Sequence, residues 1–242
     1  MRIWRKLAAA ERMDQPLYVL GHEISIWLLP ILIAVTFHEA AHGFVAHLLG
    51  DDTAWRLGRV TFNPFKHIDP FGTVVLPVLL LLARSPFLFG YAKPVPVNFG
   101  RLRHPRRDMI LVAAAGPAMN LVLATLAGLS LRVLNYGTGV PMRFLGANLE
   151  NALVLNVVLA VFNLLPIPPL DGGRIIVGVL PKALSRPLSR LEPYGLVLLI
   201  GLLIVLPLLG ARFGLDLDFL SRVITRSARV IIGAILRLAA IV

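Results

Sequence analysis

Cysteine is absent from the 242 residues, which removes disulfides, iron–sulfur clusters and thiolate metal sites from consideration. Any metal chemistry must therefore use histidine and carboxylate. Charge is scarce as well. Only 15% of residues are charged and 57% are hydrophobic, against about 25% and about 45–50% in soluble domains. No polar stretch is long enough to fold as a soluble module, so one domain is the natural count. No long apolar run precedes Asp14 in MRIWRKLAAAERMDQPL, so this start does not read as a cleavable signal peptide. Residues 1–23 read instead as an interfacial segment. Acidic side chains are the scarcer sign, 13 against 24 basic, for a net charge of +11. That excess does not point to nucleic acid. The basic residues lie between and beside apolar blocks, where membrane topology and anionic lipid account for them.

What the chain has in plenty is apolar sequence in blocks: Ile24–Leu49, Val74–Leu82, Ile110–Leu134, Ala152–Leu165, Leu196–Leu209 and Val223–Val242. Several approach the ~20 residues that cross ~30 Å of hydrocarbon, whereas Val74–Leu82 is too short and reads as a re-entrant dip. The expected fold is a membrane all-α, polytopic helical bundle of about 4–6 spans. Small β-strand elements are expected between the first two hydrophobic blocks, from the alternation over Arg59–Phe62, with KPVPVNFG extended because its alternating prolines forbid helix. Spanning helices are expected over Ile24–Leu49, Asp108–Leu134, Asn148–Leu165 and Tyr194–Leu209, with a further helix from near Arg174. The main domain runs over 24–210. Residues 211–242 form a basic amphipathic helix, with Arg222, Arg226, Arg229 and Arg237 within about 80° of arc at ~100° per residue. A surface-lying helix suits that pattern better than a further span.

Lys93–Arg107 holds five basic residues and Arg174–Arg190 four, which places both loops in the cytoplasm of a cell membrane. The Gly50 end of the first helix then faces the same side, while the basic N-terminus falls on the other.

Residues 36–43 read TFHEAAHG inside the first apolar block. Ionisable groups at a helix centre cost roughly 2.5–3.5 kcal/mol on insertion scales, so they are functional candidates there. His38 and His42 lie four residues apart, which puts them on one helix face about 6 Å apart along the axis. Two imidazoles so placed can share one Zn²⁺, and Glu39, ~60° round from His42, can take a proton from water at the metal. His47 lies ~180° from His38 and cannot join them from that helix. A catalytic zinc needs a third protein ligand. The soluble pattern HExxHxxGxxH fails, since Val45 and Leu48 stand where glycine and histidine would, and no glutamate occurs between Glu39 and Glu150. Asp171, in FNLLPIPPLDGGRI, is the leading candidate, because three prolines break the helix and free the carboxylate to point inward. The alternative is that Asp171 only caps the next helix. His67 and Asp69, in NPFKHIDP, are the competitors. Asn120, in AGPAMN, stands between helix packing and substrate contact.

HEAAH on a membrane helix, then NPFKHIDP, AGPAMN and FNLLPIPPLDGG, resembles the site-2 protease family of intramembrane zinc metalloproteases, in its compact members without a PDZ domain. The resemblance covers about Ile24 to Gly173, with matching hydrophobic layout to about Leu209. It implies zinc ligation by His38, His42 and Asp171 and a general base at Glu39. It also implies a role for Asn163 in handling substrate or the developing oxyanion. The expected partners are single-pass transmembrane protein substrates and the lipid bilayer, with the active site toward the cytoplasm. A non-proteolytic zinc-binding membrane protein or a transporter is the alternative.

Overall fold

The computed structural model describes residues 17–75, 92–134 and 139–240. Among these residues the regular structure is helical and no β-strand forms. The first helix, α1, runs over Leu17–Leu48 and contains Pro30. It starts seven residues before the first apolar block, because nothing in LYVLGHE breaks a helix. A short helix α2 (Thr53–Arg56) follows, and then α3 (Pro105–Leu134), with Pro117 inside it. Helix α4 spans Val140–Asn163, beginning eight residues earlier than the asparagine-marked start expected at Asn148. Gly139, at φ 106°, makes the entry turn and Pro141 sits in the first helical turn, where its missing N–H costs nothing. Helices α5 (Asp171–Val179) and α6 (Lys182–Ser189) are short. The chain continues through α7 (Gly195–Ile200), a π-helical stretch Gly201–Val205 and α8 (Leu206–Arg212). It closes on α9 (Phe219–Leu238).

Four helical stretches, Gly21–Leu48, Pro105–Leu134, Val140–Asn163 and Lys182–Arg212, are long and apolar enough to cross a membrane. Their outward faces carry Ile24, Leu28, Leu29, Leu111, Val122 and Leu126, each more than two-fifths exposed. Their contacts with one another bury Asn120, Asn151 and Asn156. Apolar side chains outside and amides inside is the arrangement that lipid favours, because buried amides tie helices together where water cannot compete. Asn151, for example, donates to the Ile26 carbonyl of α1 at 3.0 Å.

Helix α9 places its apolar face against α3 and α4. Ala228, Ile232 and Ile235 pack with Ala124, Ala127, Leu153, Val154 and Val157. Leu220 sits with Leu165 and Leu170 near the end of α4, while Ile235 reaches Gly128 of α3. The helix therefore runs back along the bundle. Its four arginines, on the opposite face, are exposed.

The strand expected over Arg59–Phe62 is not formed, and these residues bend. The Thr61 carbonyl accepts from His67 Nε2 at 3.0 Å, and the Thr61 hydroxyl accepts the Asn63 N–H at 3.2 Å. Side chains take the groups that a partner strand would need, so the alternation has nothing to pair with. Residues 92–98 are extended, as the prolines require. They lie along the end of α1, with Asn98 N–H on Asp51 at 2.6 Å and Arg103 N–H on the Leu49 carbonyl at 3.0 Å. The re-entrant dip expected at Val74–Leu82 lies outside the described residues, apart from the end of the π-helical turn Pro70–Val75. Most of the N-terminal interfacial segment also lies outside them.

Candidate active site

His38 and His42 project from adjacent turns of α1, and Asp171 meets them from the first turn of α5. The three are buried, at 8%, 8% and 6% exposure. Their facing atoms lie close together: His38 Nε2 to His42 Nε2 3.0 Å, and Asp171 Oδ2 to the two nitrogens 3.3 and 3.4 Å. A tetrahedral zinc with bonds of about 2.0–2.1 Å sets its ligand atoms about 3.3–3.4 Å apart. Among the described residues this is the group of metal-ligating side chains close enough to share an ion.

The hydrogen bonds behind the imidazoles show what these atoms offer. His42 Nδ1 donates to the Val112 carbonyl at 2.7 Å, and His38 Nδ1 donates to Asn120 Oδ1 at 2.6 Å. In its neutral form each ring uses its one proton at Nδ1, so each Nε2 presents a lone pair. Asp171 Oδ2 is buried without a hydrogen-bond donor. Three acceptors converge with no proton between them, an arrangement that repels itself unless a cation joins it. The donor set, its spacing and the orphaned oxygen all fit zinc.

Local sequence explains how each part is held. Pro117 cannot donate to the carbonyl four residues back and opens α3 at that turn, next to the Val112 carbonyl that receives His42. At Gly116 a Cβ would overlap both imidazoles, so only glycine lets α3 approach α1 here. After α4 the chain LLPIPPL cannot continue as helix. A Cβ on Gly172 would run into the Leu164 and Leu165 carbonyls, and one on Gly173 into Pro168. The double glycine thus lets α5 fold back against its own lead-in and deliver Asp171. The capping alternative for Asp171 does not hold: Leu170 occupies the N-cap position and no side chain caps the helix.

Glu39 is half-buried, and its Oε2 accepts the backbone N–H of Val95 at 2.7 Å. Asn163 ends α4 with its Nδ2 donating to the Leu159 carbonyl at 3.0 Å, and it stands outside the metal group. Neither competitor joins the group. His67 bonds Thr61, and Asp69 accepts the Gly72 N–H at 2.7 Å. His47 pairs with Asp52 at 2.6 Å and stacks on Trp55, a polar group at a helix end as its angle predicts. Sequence reasoning missed what surrounds the ligands: the Val112 carbonyl, the Val95 N–H, and Asn120 as a partner of His38. Only Asn120 left a signal, as an amide in an apolar helix.

A profile of Peptidase family M50 matches residues 143–208. Over 201 residues the chain is 40% identical to "Putative zinc metalloprotease YwhC" of Bacillus subtilis (strain 168), covering 81% of this chain and 87% of that protein. Over 177 residues it is 33% identical to "Putative zinc metalloprotease Rip2" of Mycolicibacterium smegmatis (strain ATCC 700084 / mc(2)155), covering 72% of this chain and 64% of that protein. No solved structure matches. An apolar helical bundle with a buried imidazole–imidazole–carboxylate group defines a membrane metalloenzyme. The chain belongs to peptidase family M50, the site-2 protease family, and is a zinc metalloprotease.

Proposed function

We propose that this metalloprotease hydrolyses peptide bonds within or near the transmembrane segments of membrane-protein substrates, with Glu39 as general base. The observation that carries the proposal is the depth of the metal group. His38 and His42 lie ten and six residues before the end of α1, or about 15 and 9 Å along the axis at ~1.5 Å per residue. In a hydrocarbon layer ~30 Å thick whose boundary falls near the end of α1, a site at that depth would lie inside the apolar region, between its middle and one face. The basic loops flank the same end, which favours a cytoplasmic-facing site in a cell membrane. Substrates of this geometry are single-pass proteins whose helix unwinds locally beside the site.

His38, His42 and Asp171 would hold the zinc. A zinc ion bound there supplies Lewis acidity, acidifying water and polarising a carbonyl. The protein's own contribution is positional. The Val95 N–H fixes one oxygen of Glu39, leaving the other to take a proton from water and return it to the leaving amine. Asn163, at the end of α4 ahead of the Asp171 loop, would steady the developing oxyanion once its amide turns from Leu159. Residues 92–98 stay extended beside Glu39, but Val95 N–H is engaged and Pro94 and Pro96 have none. Arg59 takes the Lys93 and Pro94 carbonyls, so peptide capture by backbone pairing would rely on the Val95–Val97 part of the segment.

The test uses purified wild type and Glu39→Gln in detergent with zinc quantified. Both are incubated with a panel of single-span substrates and with unfolded casein, and products are read by mass spectrometry. Cleavage within the spans by wild type, lost by at least about 100-fold in Glu39→Gln at equal zinc content, is expected. Equal cleavage by both proteins overturns the base. Cleavage of casein alone overturns the substrate class.

A further inference from the structure

We infer that Asn120 and Asn156 are positioning residues that select which nitrogen of His38 carries the ring proton, keeping Nε2 free for the metal. The inference rests on the His38–His42–Asp171 site but not on proteolysis. An asparagine amide has a donor end and an acceptor end of nearly equal shape, so its neighbours decide which end points where. If the amide of Asn120 were turned round, its nitrogen would face His38 Nδ1. The histidine proton would then move to Nε2, the atom that must present a lone pair to zinc.

The structure fixes the amide by a chain of bonds that ends on two groups able only to accept. Asn120 is fully buried. Its Nδ2 donates to the Ala34 carbonyl of α1 at 3.3 Å and to Asn156 Oδ1 of α4 at 2.8 Å. Asn156 is 1% exposed and has the same ambiguity, but its own Nδ2 donates to the Ala152 carbonyl at 2.8 Å. Backbone carbonyls cannot donate, so Ala152 orients Asn156, and Asn156 with Ala34 orients Asn120. Asn120 Oδ1 is then the only end left for His38 Nδ1. Hydrogen bonds in three helices decide one tautomer, and Asn156 does so without being part of the metal group.

The experiment is a zinc titration of the full-length chain, stripped of metal in detergent, against a chromophoric chelator, with helical content followed by circular dichroism. Partners behind a metal-bound histidine typically change affinity by about 10–100-fold. Asn120→Ala is expected to fall in that range, and Asn156→Ala to lose roughly tenfold. Asn120→Asp is the diagnostic variant, because a carboxylate offers His38 Nδ1 only acceptors, with Asn156 free to turn its Nδ2 toward the other oxygen. It should keep affinity within about threefold of wild type. In that background Asn156→Ala should have no further effect on zinc. Wild-type affinity in Asn156→Ala overturns the proposal, as does an equal loss in Asn120→Asp and Asn120→Ala. Should an alanine variant lose its helical signal, Asn120→Asp against wild type decides alone, and a loss beyond about tenfold overturns the proposal. His38→Ala in the same titration checks the site separately. Unchanged zinc binding there refutes the ligand assignment and with it the premise of the relay, an outcome distinct from a relay that fails at an intact site.

Discussion

Gly116 lies so close to both imidazoles that a single added methyl would occupy their space. The obstructing atoms are the metal-facing His38 and His42 Nε2 and its neighbour in the ring, so relief of the clash must turn the rings. Overpacking a tight contact typically costs about 1–3 kcal/mol. Gly116→Ala should therefore weaken zinc binding by about 10–100-fold while leaving helical content intact, a result that chelator competition and circular dichroism read together. Retained affinity would mean that the rings can move without losing the ion. A second residue-scale prediction concerns Val95, whose N–H binds Glu39 and whose side chain is buried beside Gly43. Val95→Pro removes the N–H in a segment already shaped by proline, whereas Val95→Ala keeps it and trims only packing. Cleavage should fall by about 10-fold or more in the proline variant, mainly in kcat and with an altered pH profile, and by much less in the alanine variant. Equal losses in the two would assign Val95 to packing alone.

At the scale of elements, α5 depends on two glycines to seat Asp171. A Cβ at Gly172 would meet backbone carbonyls rather than a movable side chain, so Gly172→Ala must displace the helix start. Zinc affinity should drop by at least about 10-fold in Gly172→Ala, with a lowered melting temperature. Wild-type affinity would show that the carboxylate reaches the ion from another helix position. The same element shows how far sequence carries. HEAAH specified its own geometry, because an i, i+4 pair on a helix has one arrangement. From its local pattern alone Asp171 was legible as a choice between ligand and cap, and the family resemblance favoured the ligand. That choice depends on where α5 begins relative to α1, which no local pattern encodes. The long apolar helices were legible from length and composition. The strand over Arg59–Phe62 was misread because alternation over four residues says nothing about whether a partner exists. Val95 and the Val112 carbonyl act through backbone atoms and leave no trace in residue type. Asn120 was visible, yet its role follows from Asn156 and two carbonyls on separate helices.

In the molecule as a whole, the metal group joins the long helix α1 to the short helix α5 through three acceptors that repel one another without a cation. Zinc is therefore a bond between elements as well as a reagent, and its removal should be felt most at the start of α5, whose far end is held to α3 by Arg106 on the Gly178 carbonyl at 2.9 Å. Helix α5 has nine residues, three of them glycine, and lies outside the four apolar stretches long enough to span. Helices α3 and α4 are held by the large cluster of Ala124, Leu153, Val157 and their neighbours with α9. A ligand that binds only the folded state stabilises it by about 2.7 kcal/mol at 100 times its dissociation constant. For this chain that stabilisation belongs to the α1–α5 contact. Hydrogen exchange on the full-length protein, with and without a chelator, should show faster exchange over residues 171–179 and the preceding loop after zinc removal. Residues 120–130 and 150–160 should be little changed. Asp171→Asn removes the charge that zinc neutralises, so its α5 should exchange at nearly the same rate with or without chelator. Uniform acceleration through all the long helices would instead make the ion a support of the entire bundle.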